Sequence, residues 1–389
     1  MVNYILNFIG LILIIKWFKN HINDLKTLKN KRMFFKVSRF KSVFITLIII
    51  LIPVLIVNFT KIEELNHITD ETLKNNNYIY AIVVSFLITL IWLIYIYKLD
   101  IFNKEKKRHL FAILLLSSLF TLFAEFPYQF IHNLGFTDSE NPMDSFIYTV
   151  FGIGLIEETI KLIPLLIMLR FTKAIDEPYD YILYISASAL GFSLVENAMY
   201  LHQHGLEIIN ARALYATVAH MTFSSMIGYG LFLIRFKKTK IPAILVFLLF
   251  FFFAIFSHGF YDFWLINKAV SKFNGLTTLF LLTTVHIWFS IKNNTINTSN
   301  FYDNNKTLNN DKLKVYLIIS LVSIFMLSYI YVAFKWNSKE ANNFFVKSAF
   351  VYGYIIFYLI ATLTKFDLAK GVLKPFKWSL RFFVPKKLK

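Results

Sequence analysis

Residues Gly152–Leu166 read GIGLIEETIKLIPLL and hold three charged side chains, Glu157, Glu158 and Lys161, inside a long apolar run. A charged side chain at the centre of a bilayer costs at least about 2.5–3.5 kcal/mol on insertion scales. Ionisable residues at such depth are rare and usually line a site or a pathway. The stretch therefore predicts a membrane helix that carries a functional site.

The composition of the whole chain agrees with a membrane protein. The 389 residues are 57% hydrophobic and only 16% charged, with a mean hydropathy of +0.57. Repeated apolar runs of this kind indicate a polytopic α-helical membrane protein. The sequence has no cysteine, which excludes disulfides, Cys-zinc sites and a thiol nucleophile. The net charge of +18 indicates basic cytoplasmic loops rather than a nucleic-acid partner.

Hydropathy predicts an all-α transmembrane bundle of about eleven spanning helices. They lie near residues 4–18, 42–60, 78–97, 110–126, 145–171, 181–201, 212–236, 241–266, 275–292, 313–334 and 345–364. Lys and Arg fall on alternate loops, so the positive-inside rule places the N-terminus outside and the C-terminus in the cytoplasm. The Asn-rich loop 293–311 is expected to be the least ordered part of the chain.

The motifs divide the chain into three regions. Residues 1–110 are expected to form an N-terminal membrane region of three helices, and residues 111–266 a catalytic helical core. Residues 267–389 are expected to form a C-terminal membrane region of three helices with a basic cytoplasmic tail. No soluble domain is predicted.

Polar side chains, most of them ionisable, recur in four consecutive predicted helices, which short loops join and which should therefore be neighbours. They are Glu157, Glu158 and Lys161, then Glu196 and Asn197, then His220, and finally His258 and Asp262. Lys161 lies three residues after Glu158 and four after Glu157, so it can pair with either carboxylate. Asp262 lies four residues after His258 and can orient its imidazole or share a metal with it. A shared polar cavity between the four helices is expected.

Five short motifs in this region occur in a specific order. They are EETIK at 157–161, DEPYDYILY at 176–184, GFSLVEN at 191–197, the helix-embedded His220, and HGFYDF at 258–263. Together they resemble the PrsW-type intramembrane proteases, relatives of the CAAX-protease and bacteriocin-processing group, over roughly 150–265. The resemblance implies proteolysis of a membrane-embedded substrate, with an anti-sigma factor as the kind of protein cleaved. It also implies that Glu157, Glu158, His220 and His258 are the motif residues of the site.

The chemistry of these residues leaves two mechanisms open. In the first, His220, His258 and one carboxylate, Glu158, hold Zn²⁺, a water of lowered pKa completes the site, and the second carboxylate acts as base. In the second there is no metal, and Glu157 or Glu158 activates water while a histidine and Asn197 stabilise the oxyanion. No HExxH motif is present to favour zinc.

We therefore predict a multi-pass intramembrane peptidase, of metallo- or glutamic type, in the cytoplasmic membrane of a bacterium. The predicted catalytic residues are Glu157, Glu158, Glu196, His220 and His258, supported by Lys161, Asn197 and Asp262. The substrate would be a membrane-embedded or membrane-proximal protein, and no nucleic acid is involved. Two alternatives stay open: a proton-coupled transporter, because buried Glu, His and Lys sets also form proton relays, and a non-catalytic membrane scaffold.

Overall fold

The computed structural model describes Ile12 and residues 38–59, 77–237, 240–306 and 309–374. Throughout these residues the regular structure is helical, which confirms the predicted all-α class. Helices occur in ten of the predicted segments. The first predicted segment, 4–18, lies outside the described residues apart from Ile12.

Thirteen α-helices, numbered here α1–α13, follow one another along the described residues. The first six are Ser38–Phe59, Asn77–Leu99, Lys107–Leu122, Glu125–Asn133, Pro142–Ile147 and Leu155–Phe171. The other seven are Pro178–His204, Ile209–Ala211, Thr217–Phe236, Ala243–Ile266, Gly275–Asn297, Asn310–Lys335 and Ser338–Leu363. Two π-helical segments, Tyr148–Gly154 and Arg212–Ala216, lead into α6 and α9.

Eight of the described helical stretches are long and apolar enough to cross a membrane. They are Asn77–Leu99, Lys107–Asn133, Pro178–His204, Leu206–Phe236, Ala243–Ile266, Gly275–Asn297, Asn310–Lys335 and Ser338–Leu363. Residues Val43–Phe59 form a shorter apolar helix. Helix α6, which carries Glu157, was predicted to span the membrane as part of 145–171 but is not among these eight. The count of eleven spans and the orientation of the termini stay predictions.

Helix α7 is the centre of the bundle. It packs against α2, α3 and α9, and it also contacts α6 and α11. Every residue from Pro178 to Ser193 is buried. Small side chains make this possible: a Cβ at Gly191 would overlap the carbonyl oxygen of Leu114 in α3. Such small residues let membrane helices approach closely. Because α7 is central, the helices that carry the polar site are arranged around it.

Hydroxyl groups along α7 link it to its neighbours. Ser188 donates to the backbone carbonyl of Lys161 at 2.6 Å, and Ser186 shares a 2.9 Å hydrogen bond with Ser225 of α9. In an apolar interior a hydroxyl without a partner is costly, so these bonds satisfy the groups and fix the register of the helices.

The end of α11 is ordered, which differs from the expectation for the Asn-rich loop 293–311. Asn293, Asn294 and Asn297 are buried and continue the helix. Their amides bond to the backbone of the segment after α13: Asn294 donates to the Lys374 carbonyl at 3.0 Å and accepts from its N–H at 2.8 Å. The asparagines therefore anchor the start of the C-terminal segment instead of forming a loose loop.

A glycine beside the site offers the first prediction. A Cβ at Gly259 of α10 would lie 2.6 Å from the backbone nitrogen of Val150, and a backbone atom cannot move aside cheaply. We expect Gly259→Ala to lower stability by about 1–3 kcal/mol, as overpacking does. Gly353→Ala is the matched control, because a Cβ there meets nothing within 4 Å and helix propensity favours alanine. Thermal unfolding in detergent measures both; equal melting temperatures for the two variants would contradict the close packing.

Candidate active site

The helices around α7 bring together residues that are far apart in the sequence. Helix α6 carries Glu157, Glu158 and Lys161; α7 carries Glu196 and Asn197; α9 carries His220; α10 carries His258 and Asp262. One donor atom from each of Glu157, His220 and His258 lies within 4.8 Å of the other two. The imidazole ring centroids are 5.1 Å apart. All three side chains are buried, so the group lies inside the helical bundle.

Both π-helical segments end directly before helices of the site. Tyr148–Gly154 precedes α6, which begins two residues before Glu157. Arg212–Ala216 precedes α9, in which His220 is the fourth residue. A π segment widens the helix by one residue per turn and is frequent at functional sites. The two segments therefore set the rotation at which the acids and His220 face the interior, a feature the sequence did not indicate.

Lys161 is the centre of the charge network. Its ammonium is fully buried and donates to Glu158 Oε1 at 2.8 Å and to Glu157 Oε2 at 3.4 Å. The predicted pairing of this lysine with both carboxylates is present. The Lys161 ammonium also lies 2.9 Å from Nδ1 of His220 and 4.3 Å from the centre of the Phe192 ring. One cation thus offsets the charge of two buried acids, which would otherwise be very unfavourable.

Each imidazole is held by a carboxylate on one ring nitrogen and turns the other nitrogen toward Glu157. His220 Nε2 lies 2.8 Å from Glu196 Oε2, and its Nδ1 lies 4.0 Å from Glu157 Oε2. His258 Nδ1 lies 2.8 Å from Glu158 Oε1, and its Nε2 lies 3.3 Å from Glu157 Oε2. Asp262 Oδ2 is 3.3 Å from His258 Nε2. A carboxylate on the far nitrogen is the arrangement that orients histidine ligands of metals.

This donor set fits a divalent metal ion. Two imidazoles and one carboxylate are the protein ligands of many catalytic zinc sites, and the outer carboxylates on both imidazoles match the second shell of such sites. The group contains Glu157, whereas the sequence-based ligand set contained Glu158. Glu158 is 0% exposed, and its Oε2 accepts from Ser224 at 2.6 Å while its Oε1 meets Lys161 and His258. Its oxygens are therefore engaged by the protein.

Two contacts of the acids were missed in the sequence. The phenol of Tyr128, in α4, donates to Glu157 Oε1 at 2.8 Å. Ser224 of α9, one turn after His220, donates to Glu158. The spacing of Ser224 from His220, four residues on one helix, was a signal that could have identified it. Tyr128 has no such signal, because it lies in a separate helix, at a position where the sequence predicted a loop.

Arg212 is a third residue that the sequence analysis missed. Its guanidinium donates to Glu196 Oε2 at 2.5 Å and to Asn197 Oδ1 at 2.6 Å. The amide nitrogen of Asn197 donates to Ser193 Oγ at 3.0 Å and to Thr217 Oγ1 at 2.9 Å. Asn197 is fully buried and its amide donors are engaged by Ser193 and Thr217, and its carbonyl oxygen holds Arg212 beside Glu196. Its role as a donor to an oxyanion stays a prediction.

A cavity of about 910 Å³ adjoins the group. Its walls include the charged and imidazole side chains of Glu157, Glu196, Arg212, His220, His258 and Asp262. Glu158 and Lys161 lie behind this wall. Apolar and aromatic side chains complete the cavity, among them Tyr128, Met199, Tyr215, Tyr261 and Leu265. The cavity has room for water and for several residues of a peptide chain, which hydrolysis inside a helical bundle requires.

Comparison with known proteins gives a consistent result for this region. The model of a family described as PrsW family intramembrane metalloprotease matches residues 105–291. This range includes every residue of the site described above. No solved structure matches the chain significantly.

Several curated relatives carry the name Protease PrsW. The protein of Oceanobacillus iheyensis is 34% identical over 37% of this chain and 66% of its own length. The protein of Geobacillus kaustophilus is 35% identical over 30% of this chain and 50% of its own length. The protein of Bacillus subtilis is 34% identical over 25% of this chain and 44% of its own length. The matches thus span between about half and two thirds of these relatives.

Proposed function

Because residues 105–291 match the model of the PrsW family of intramembrane metalloproteases, we propose that the chain hydrolyses peptide bonds of membrane-associated proteins. The observation that carries this proposal is the meeting of Glu157, His220 and His258 within 4.8 Å at the wall of a cavity. Peptide hydrolysis needs an electrophilic or acid–base centre that water and a peptide can both reach. The three side chains supply the reactive centre, and the cavity gives water and a peptide access to it.

The three donors of the group would hold a divalent metal ion, with zinc as the proposed ion. When bound, such an ion polarises the scissile carbonyl and acidifies a water molecule. Glu157 Oε2, His220 Nδ1 and His258 Nε2 are the atoms that face the centre of the group. Nδ1 of His220 now accepts from Lys161, so this lysine would have to turn toward Glu158 when the metal enters.

The remaining side chains position the ligands. Glu196 holds the imidazole of His220 and Glu158 holds that of His258, which fixes their tautomers and ring planes. Lys161 and Ser224 keep Glu158 in place. Tyr128 fixes Glu157 from the opposite side. In this proposal Glu158, one of the residues predicted to be catalytic, acts through His258 and does not touch the substrate.

Asp262 is the proposed proton acceptor. Its side chain is 20% exposed, lines the cavity and lies beside His258 Nε2. It can take the proton from the attacking water and return it to the leaving amine.

Replacing this acceptor without changing the ligands gives a specific prediction. We expect Asp262→Asn to lower kcat on the order of 10²–10⁴-fold, the range of general acid–base catalysis, and to leave the metal content unchanged. Cleavage rates and metal analysis on the same preparation measure the two quantities. A variant with wild-type kcat would show that Asp262 is not the proton acceptor.

The substrate would be a membrane-embedded or membrane-proximal protein, and an anti-sigma-factor-like protein is one such substrate. The proposed location is the cytoplasmic membrane of a bacterium, with the N-terminus outside and the C-terminus in the cytoplasm. The division into an N-terminal region 1–110, a catalytic core 111–266 and a C-terminal region 267–389 belongs to this proposal.

Purified protein in lipid nanodiscs tests the function directly. It would be incubated with single-span model substrates, and new N-termini would be identified by mass spectrometry. We expect cleavage within or next to the spanning segment, loss of cleavage with a chelator, and recovery on adding zinc. No new N-termini, together with proton-driven uptake in sealed vesicles, would instead favour the transporter.

A further inference from the structure

A second cluster of acids lies at the other end of α7. Asp180 is in the first turn of this helix, and at a rise of about 1.5 Å per residue it lies roughly 24 Å along the helix from Glu196. Glu105 and Asp176 lie beside it, and one carboxylate oxygen from each of the three is within 4.8 Å of the others. Asp100 and Glu177 flank the three. The cluster is therefore separate from the active site.

Three segments of the chain contribute to this cluster. The linker between α2 and α3 supplies Glu105, whose backbone N–H donates to Asp100 at 2.6 Å. The turn before α7 supplies Asp176 and Asp180, and Asp180 Oδ2 accepts from the N–H of Asp176 at 3.0 Å. The segment after α11 supplies Ser299, which donates to Glu177 at 2.5 Å. The cluster thus lies where α2, α7 and α11 are held together.

The buried acids of this cluster outnumber the cations beside it in the described residues. Asp100, Glu105, Glu177 and Asp180 are at most 8% exposed. Of these four acids, Glu105 forms an ion pair in the described ranges: its Oε2 lies 3.6 Å from Nδ1 of His109. The lysines of the adjoining segments bond elsewhere: Lys104 donates to the Tyr97 carbonyl and Lys306 to the Phe102 carbonyl. Buried like charges without a counter-ion are very unfavourable.

A buried oxygen within the cluster is without a hydrogen bond. Asp180 is 0% exposed, and its Oδ1 has no partner although its Oδ2 accepts two backbone N–H groups. Asp100 Oδ1 is likewise buried and without a partner. An ionised oxygen in that position gains nothing from the protein, so a proton or a cation bound there would stabilise it.

We propose that Glu105, Asp176 and Asp180 bind a divalent cation that prefers oxygen ligands, such as Mg²⁺ or Ca²⁺. Two oxygens that bind one Ca²⁺ at about 2.3–2.6 Å are at most about 4.6–5.2 Å apart, and the three oxygens here lie within 4.8 Å of one another. Carboxylates without imidazole or thiolate select hard cations over zinc. The ion cross-links the α2–α3 linker to the start of α7 and so steadies the helix that carries Glu196.

Protons are the alternative source of neutralisation. Burial raises the pKa of Glu177 to about 7 and that of Asp100 to about 6. A cluster that is neutralised by protons alone would take up no divalent cation.

Mn²⁺ binding tests the proposal, because free Mn²⁺ is counted by its paramagnetic resonance signal and Mn²⁺ accepts oxygen ligands. The full chain would be used in a Glu157→Gln background, which removes the carboxylate of the active-site group. We expect saturable binding that Asp176→Asn and Asp180→Asn each weaken by about tenfold or more. Asp311→Asn, at an exposed acid in the first turn of α12, is the matched control and should bind as the background protein does.

Asp176 is exposed, so Asp176→Asn should fold. This variant therefore tests the cation site even where Asp180→Asn fails to fold. Mn²⁺ should also raise the melting temperature of the background protein and leave that of Asp176→Asn unchanged. Absence of saturable Mn²⁺ binding would overturn the proposal. Equal affinity in the background protein, Asp176→Asn and the control would overturn it as well.

Discussion

Glu157→Gln should reduce cleavage on the order of 10²–10⁴-fold, which is the range expected when an acid–base group is lost. The substitution keeps the size of the side chain and its hydrogen bond from Tyr128, so the helices should stay packed. What it removes is the negative charge that faces both imidazoles. The loss is expected whether Glu157 binds the proposed metal or activates water itself. Cleavage of a single-span substrate in nanodiscs is the measurement.

Glu340→Gln is the control for this variant. It makes the same chemical change at an exposed acid in the first turn of α13, and its cleavage rate should equal that of the unaltered chain. If Glu157→Gln cleaves as fast as Glu340→Gln, Glu157 is not part of the hydrolytic machinery.

Lys161→Met should lower the stability of the protein by about 3–5 kcal/mol, the usual cost of removing one partner from a buried ion pair. The methionine leaves Glu158 fully buried without its cation, although Ser224 and His258 still contact it. The additional change Glu158→Gln removes the unpaired charge, so the double variant should recover a large part of the loss. Thermal and denaturant unfolding in detergent measure the three proteins.

Lys347→Met is the comparison for this series, because Lys347 is an exposed lysine of α13. Its stability should be within about 0.5 kcal/mol of the unaltered chain, as for most surface substitutions. A Lys161→Met variant as stable as Lys347→Met would contradict the pairing of Lys161 with the two acids.

The sequence predicted the helices because the signal for a membrane span is strong. Long apolar runs leave few alternatives to a helix in lipid, and the described helices lie where these runs were identified. The grouping of Glu157, His220 and His258 was predictable for a related reason. Each is a costly residue in an apolar helix, and consecutive helices joined by short loops are neighbours.

The sequence predicted less about how the side chains of the site are oriented toward one another. The predicted ligand set named Glu158, whereas the group that could hold a metal contains Glu157. Two adjacent residues on a helix differ by about 100° in direction, so the sequence did not distinguish their roles. A π segment before α6 changes that direction further, and its local sequence does not indicate it. Arg212 and Tyr128 were missed because each lies near a helix end, where polar side chains are ordinary.

The order of the C-terminal segment was missed for a similar reason. Asparagines after an apolar run are typical of a loop, and Asn294 and Asn297 follow such a run. Their role depends on backbone groups about 70–80 residues away, which no local pattern reports. Long-range hydrogen bonds of this kind are determined by the tertiary fold.

Zinc stoichiometry is the most direct test of the central claim that Glu157, His220 and His258 form one metal-dependent hydrolytic centre. It would be measured on purified, cleavage-active protein beside Glu157→Gln and Asp262→Asn. We expect about one zinc ion per chain in the unaltered protein and in Asp262→Asn, and far less in Glu157→Gln. Full cleavage activity in protein that contains no divalent metal would contradict the account.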